Sequence, residues 1–377
     1  MQPATWWFSV QVGTHAVDSI SKDRGVTPGG GQLGTLVRTF STRSFSTNTA
    51  LFSIMETLYS EVIDEKTYQA DGLAHGIPLR VHSDPFKEIA GALRAQRDWT
   101  NNVRPVTGYW GGLGDQYSFI RVTVPECRPE RLEIISYANE FAFLYDDEME
   151  NLDLKKFKEG RDEMLDAFGK DALNGKVDHQ TRPEKKLQAQ MLGEMMAIDP
   201  ERAVTSMKAW ATFVQLASRT RAVPFETLEE YLPGRIIDAG ELIWFGTLTF
   251  GLALTIPEDE LDICMQLARP GYAAISLTND LYSWKKEQRD AEKANQDYVF
   301  NAIWVIMKER AVSESEALDV CKEEILQYID QYERIVDNAK ADTSLSRDTR
   351  AYLEAVRASY IGNLVWSIYC PRYQVGV

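Results

Sequence analysis

Two short acidic stretches carry residue types and spacings suited to holding a divalent cation. In ISYANEFAFLYDDEMEN, Asp146, Asp147 and Glu150 follow directly on Phe141, Phe143, Leu144 and Tyr145. Asp146 and Glu150 stand at i, i+4, which puts two carboxylates on one helix face with Asp147 beside them, at the end of a segment too apolar to be a solvated surface helix. Buried like charges require cations, and a few carboxylates completed by water and phosphate oxygens are the donor set Mg²⁺ prefers. Acidic quartets at helix ends are ordinarily solvated, so this stretch is weak evidence by itself. NDLYSWKKE is stronger. Its Asn279, Ser283 and Glu287 fall at i, i+4, i+8, one stripe over two helical turns, and they follow the apolar run GYAAISLT. A carboxamide, a hydroxyl and a carboxylate in a row hold an ion mostly through neutral oxygens, leaving net positive charge for an incoming diphosphate. Asp280 and Lys286 flank the stripe.

The elements that must position these residues read as helices. Pro129 opens a run to about Asn151; Glu201–Thr220, Gly240–Leu254 and Leu261–Asp290 follow, the last with a break or kink expected at Pro270. Tyr298–Arg310, Ser313–Ala339 and Arg347–Ile368 complete the series. Strand alternation is found only at Phe119–Val124, and Gly169–Lys185 reads as a polar surface connection. The expected architecture is all-α, a helical bundle.

Composition narrows the function classes. A formal net charge of −15 leaves no basic face to displace counterions from a phosphate backbone, so nucleic acid is not an expected partner. A phosphate-bearing substrate would need help from metal. The four cysteines (Cys127, Cys264, Cys321, Cys370) lie far apart with no CxxC spacing, which fits neither a zinc site nor a disulfide framework, and a reducing, cytoplasmic location is the expectation. The longest uncharged apolar stretch, Leu242 to Pro257, falls short of the roughly 20 residues a membrane span needs. From Arg24 to Met55 there is no acidic residue and much Ser, Thr and Gly, so residues 1–55 are expected to be a disordered N-terminal extension; Asp18 and Asp23 count against a transit peptide, and Met55 is an alternative start. No linker or internal repeat divides residues 56–377, which read as one catalytic domain.

With both motifs on the page, the sequence resembles the class I terpene synthases, whose metal motifs are DDxx(D/E) and NDxxSxxxE. Here they stand in the same order, 133 residues apart. The resemblance implies a single-domain class I terpenoid synthase-like bundle with three Mg²⁺ ions between facing helices. Their ligands would be Asp146, with Asp147 or Glu150, and Asn279, Ser283 and Glu287, and Lys286 would touch the diphosphate. FETLEEYLPGRIIDAGE carries Arg235 and, three residues later, Asp238, which resemble the family's diphosphate-sensing arginine and linker; Ala239 stands where a Gly or similar small residue usually follows. NLVWSIYCPRY is similar to the closing segment, with Arg372 and Tyr373 as an RY pair over the diphosphate and Trp366 lining the cavity. The phrases WGGLGDQYSF, RVTVPECRPERL and YANEFAFLYDD look closest to the cyclase domains of fungal bifunctional di- and sesterterpene synthases. Those fused enzymes continue past the RY pair into a prenyltransferase domain that supplies substrate. This sequence ends four residues after Tyr373, so a free-standing enzyme and an excised domain are both open, as is a homo-oligomer.

The implied reaction is ionisation of a linear prenyl diphosphate, expected to be geranylgeranyl diphosphate (C20) with geranylfarnesyl diphosphate (C25) as the alternative, followed by cyclisation of the carbocation. Metal ions with Arg235, Lys286 and Arg372 would stabilise the leaving charge, and a dry, aromatic cavity would shelter the cation. Phe119, Phe143, Trp244, Phe245 and Trp366 are the candidate lining, although aromatics at helical spacing are more often plain core. Diphosphate can serve as the final base, and the four histidines (His15, His75, His82, His179) are read as incidental. A chain-elongating prenyltransferase would carry a second aspartate-rich motif where NDLYSWKKE stands, and a protonation-initiated cyclase would need a DxDD motif, which is absent. An inactive helical binding protein would show an eroded metal motif; neither is eroded.

Overall fold

The computed structural model describes residues 57–150, 182–217 and 224–374, without the side chains of residues 148–150 and 217. The expected extension 1–55 and most of the polar connection Gly169–Lys185 therefore lie outside the described residues; from Pro183 onward that connection is already helix.

Twelve helices dominate the described residues. They are α1 (Pro85–Asn102), α2 (Phe119–Thr123), α3 (Leu132–Glu150), α4 (Pro183–Ile198), α5 (Pro200–Ala217), α6 (Leu228–Asp238), α7 (Glu241–Leu252), α8 (Leu261–Lys293), α9 (Ala302–Arg310), α10 (Glu314–Ala341), α11 (Arg347–Tyr369) and α12 (Pro371–Gln374). A two-stranded antiparallel ribbon, β1 (Ser60–Val62) with β2 (Arg80–His82), precedes them, Ser60 opposite His82. The architecture is all-α. Two expectations are corrected. Phe119–Val124 is not a strand but the short helix α2, because Thr123 Oγ1 and the Val122 and Val124 amides bond back to carbonyls four residues earlier. And the break expected at Pro270 is not found: α8 is one helix with Pro270 inside it.

Local chemistry explains the elements. Asp84 caps α1 by accepting from the amides of Phe86 and Lys87, with Pro85 at the first helical position. Ser313 and Glu316 form a reciprocal capping box on α10, whose buried residues Ala317, Cys321, Ile325, Ile329, Tyr332 and Val336 recur every three or four positions, the mark of one core-facing stripe. ELIWFGTLTFGL in α7 is apolar on all sides and is accordingly buried, bounded by left-handed residues at Gly240 and Ala253.

These helices pack pairwise: α1 on α3, α5 on α7, and α8 between α10 and α11. α2 lies on α11 at Gly362, where an added Cβ would strike the carbonyl of Val122; that close approach seats Phe119 at its place. The four cysteines are free and buried, and among the described residues no helix is long and apolar enough to cross a membrane.

Candidate active site

The acidic end of α3, the middle of α8, the end of α6 and the C-terminal turn α12 meet at one end of the bundle. α8 contributes the stripe. Ser283 is 2% exposed and its Oγ is buried without a hydrogen-bond partner. Asn279 is clamped from both sides: its Oδ1 accepts from Arg235 Nη2 at 2.7 Å and its Nδ2 donates to the Tyr373 hydroxyl at 2.7 Å. Because guanidinium only donates, this pairing fixes which way the amide faces. Glu287 Oε2 accepts from Asn301 Nδ2 at 2.9 Å.

Arg235 anchors the second layer. Besides Asn279 it donates to Asp238 Oδ2 (2.9 Å) at the end of its own helix and, through Nε, to Asp280 Oδ1 (2.7 Å). Asp280 is fully buried and also accepts from the Tyr231 hydroxyl (2.7 Å) and the Ala302 amide (3.0 Å). Burial pushes the Asp280 carboxyl up to about 6, against the pull of Arg235, while burial's downward pull on Arg235 is outweighed by the acidic groups around it. Ala239 caps α6, its amide donating to the Arg235 carbonyl at 2.7 Å, and Gly240 then turns into α7 with φ +90°.

The facing wall is built differently. Asp146 is exposed, whereas Asp147 takes a bidentate pair from Arg372 (2.8 and 2.6 Å) and a bond from the Tyr109 hydroxyl at 2.7 Å. Burial would raise the Asp147 carboxyl, but Arg372, Tyr109 and Lys286 hold it below its ordinary value. Lys286 also pairs with Asp290 at 3.3 Å. The side chain of Glu150 lies outside the described residues. A cleft of about 270 Å³ opens here, lined by Tyr109, Trp110, Lys286, Arg289, Asp290 and Arg372 among others.

Four of the five candidate aromatics come together beneath these polar groups. Phe119 stands at the centre, 4.7 Å from Trp366, 5.4 Å from Trp244 and 5.6 Å from Phe143, all edge-on; Trp366 also meets Tyr373 at 5.5 Å. The indole N–H groups are tied off, Trp366 to the Gly112 carbonyl (3.0 Å) and Trp244 to Ser359 Oγ (2.9 Å). Phe245 stands apart from this cluster: it packs on Tyr352 at 5.3 Å, because adjacent residues on a helix point about 100° apart and Trp244 takes the direction toward Phe119. The residues that the sequence reading missed are Asp280 as the buried partner of Arg235, Tyr231, Asn301 and Tyr109. Only Asn301 left a signal, as the N-cap of the helix AIWVIMKER.

Comparison with known proteins agrees with this geometry. The model of terpene synthase family 2, C-terminal metal binding, matches residues 137–331, just over half of the chain, taking in both acidic motifs and Arg235. The bifunctional type I diterpene synthase tndC of Aspergillus flavipes is 45% identical over 320 residues, covering 85% of this chain and 42% of its own length. Fusicoccadiene synthase of Phomopsis amygdali is 44% identical over 330 residues (86% and 46%), and a bifunctional sesterterpene synthase of Aspergillus aculeatus 43% over 322 residues (85% and 45%). The chain spans less than half the length of these relatives. Among solved structures, aristolochene synthase from Penicillium roqueforti shares the fold with a TM-score of 0.61 at 19% identity, covering 75% of this chain and 95% of that one. Wild-type cucumene synthase does so at 0.57 and 15%, covering 78% and 98%. The chain belongs to terpene synthase family 2, a metal-binding family.

Proposed function

We propose that this chain is a Mg²⁺-dependent class I terpene cyclase that ionises a linear prenyl diphosphate and directs the carbocation into rings, releasing diphosphate. The observation that carries the reading is the convergence, at one end of the bundle, of two acid-bearing helices, the cations Arg235, Lys286 and Arg372, and four aromatic rings.

The residues suit a metal. Ser283 Oγ is a buried hydroxyl with no partner, a costly arrangement unless something else takes its lone pairs. Asn279 Oδ1 keeps a second lone pair beyond the one facing Arg235, and Glu287 adds a carboxylate on the same helical face. Asn279, Ser283 and Glu287 on α8, with Asp146, Asp147 and Glu150 on α3, would hold the ions, three by family resemblance. Bound there, Mg²⁺ supplies Lewis-acid stabilisation of the leaving diphosphate.

The chain's own groups do the rest. Lys286, Arg372 and Tyr373 donate to the diphosphate as charge develops, and Arg235 joins the same cluster, held at its helix end by the Asp238 carboxylate and by the Ala239 amide on its own carbonyl. The rings of Phe119, Phe143, Trp244 and Trp366 would exclude water and offer negative π faces to the cation. Arg372 lies 5.3 Å from the Phe143 ring centroid, so the polar and aromatic layers adjoin.

Two relatives whose names specify diterpene and fusicoccadiene synthesis support geranylgeranyl diphosphate (C20) as substrate; the sesterterpene synthase relative favours geranylfarnesyl diphosphate (C25) as the second reading. A separate or fused prenyltransferase would supply either. Incubation with Mg²⁺ and, separately, farnesyl, geranylgeranyl and geranylfarnesyl diphosphates, followed by gas chromatography and mass spectrometry, tests the assignment. Cyclic hydrocarbon from the C20 diphosphate, lost in Asn279→Ala or with chelator, is expected; no product from any of the three overturns it.

A further inference from the structure

α3 carries another buried acid, seven residues before Asp147 and so on the same face two turns back. Glu140 is 1% exposed, and its carboxylate accepts from Gln96 Nε2 on α1 at 2.7 Å and from the backbone amide of Gly112 at 2.8 Å. The pair Gly111–Gly112 is what lets the carboxylate reach main chain. A Cβ at residue 111, where φ is +35°, would collide with the Glu140 carboxylate, and one at residue 112 would fall 3.2 Å from the Phe143 ring and 3.3 Å from Phe119 Cβ. The carbonyl of that same Gly112 accepts twice, from the Trp366 indole N–H at 3.0 Å and from the Phe119 amide at 2.8 Å. Gln96 also donates to the Tyr109 carbonyl at 3.3 Å, and the Tyr109 hydroxyl reaches Asp147. The N–H and C=O of one residue thus join a buried carboxylate to two of the four rings of the aromatic wall.

We infer that Glu140 is a positioning residue for ring closure: it fixes the loop at Gly111–Gly112, whose Gly112 carbonyl orients Trp366 and Phe119, and so selects among competing cyclisations without touching substrate. This rests on the cyclase reading above. Glu140 makes its hydrogen bonds to Gln96 and Gly112, and reaches Asp147 only through Gln96 and Tyr109, so its loss acts on which cation the wall favours more than on how fast diphosphate leaves. Competing ring closures separated by small barrier differences are sensitive to such shifts, since about 1.4 kcal/mol is tenfold in a product ratio.

The test compares wild type with Glu140→Gln, which keeps the side-chain volume but turns an NH₂ toward one of two donors. Diphosphate release is expected within about threefold of wild type, while the main cyclic product's share falls at least about threefold in favour of earlier-quenched acyclic or monocyclic terpenes. Trp366→Phe, which keeps a ring and removes the N–H, shifts the profile by itself, and the double variant is less than additive because both break one chain of contacts. An unchanged profile in active Glu140→Gln, or fully additive shifts, overturns the inference. Should Glu140→Gln fail to fold, Gln96→Met removes the other tether and is read in the same way. Hydrogen exchange of residues 103–119 in the substrate-free chain reads the tether directly: faster exchange in the variant is expected, and unchanged exchange overturns it. If wild type makes no product from any prenyl diphosphate, the cyclase reading fails while the exchange measurement still decides the tether.

Discussion

The two walls of the site hold their acids in opposite ways. On α8, Asn279, Glu287 and the adjoining Asp280 are knitted into buried networks by Arg235, Tyr231, Asn301 and Tyr373, while Ser283 Oγ, in the middle of the stripe, is a buried oxygen without a hydrogen-bond partner among the described residues. On α3, Asp146 is exposed at the helix end and Asp147 is engaged by a cation from the C-terminal turn. The difference teaches that one wall is preorganised by the core, whereas the other depends on a contact between a helix end and the final described residues. Preorganised donors need no rearrangement when charge develops, which suits the α8 wall to the proposed ionisation step.

Stability measurements can break this comparison. Arg235→Ala strips the cation from the fully buried Asp280, and a loss of about 3–5 kcal/mol is expected in denaturant unfolding, as for other broken buried pairs. Arg372→Ala removes the partner of a less buried carboxylate and is expected to cost about 1–2 kcal/mol by the same assay. Equal losses would erase the distinction between the walls.

A pH titration sharpens it from beneath. Glu88 on α1 is 2% exposed, and burial with the nearby Glu140 pushes its carboxyl up to about 8. The unfolded chain releases this proton near the ordinary 4.5 while the folded chain keeps it until about 8, so the folded state binds more protons across that window and stability falls as pH rises through it. Glu88→Gln is expected to flatten that fall by a few kcal/mol at most, read from unfolding midpoints between about pH 5 and pH 8. Asp147 has the opposite sign: held below its ordinary value by Arg372, it contributes stability above the unfolded carboxylate pKa that is lost as pH drops through the folded one.

Much of the site was legible because helical spacing is local. NDLYSWKKE places its three oxygens on one face by arithmetic alone, and the apolar run before it argues for burial. The partners of that stripe were not legible, because Arg235 and Asp280 meet across 45 residues and only packing brings α6 onto α8. Phe245 and Trp244 could not be separated, since α7 is apolar on every side and has no face to read. The helix α1 went unread although Asp84 and Pro85 form a start signal, its period being interrupted by Gly91, the point where α1 closes on the Glu133 carbonyl of α3. Glu140 carries no signal of its own in the sequence, because the loop amide it holds, that of Gly112, lies 28 residues away and is brought to it by packing.

The most direct test of the central claim is the rate of diphosphate release by Ser283→Ala across a Mg²⁺ titration. Because Ser283 Oγ has no hydrogen-bond partner among the described residues, its removal is expected to leave the melting temperature unchanged or slightly raised, while release slows by about 100-fold and the Mg²⁺ requirement moves to higher concentration. A Ser283→Ala protein with the wild-type rate and wild-type Mg²⁺ dependence would contradict the assignment of the α8 stripe as a metal-holding wall.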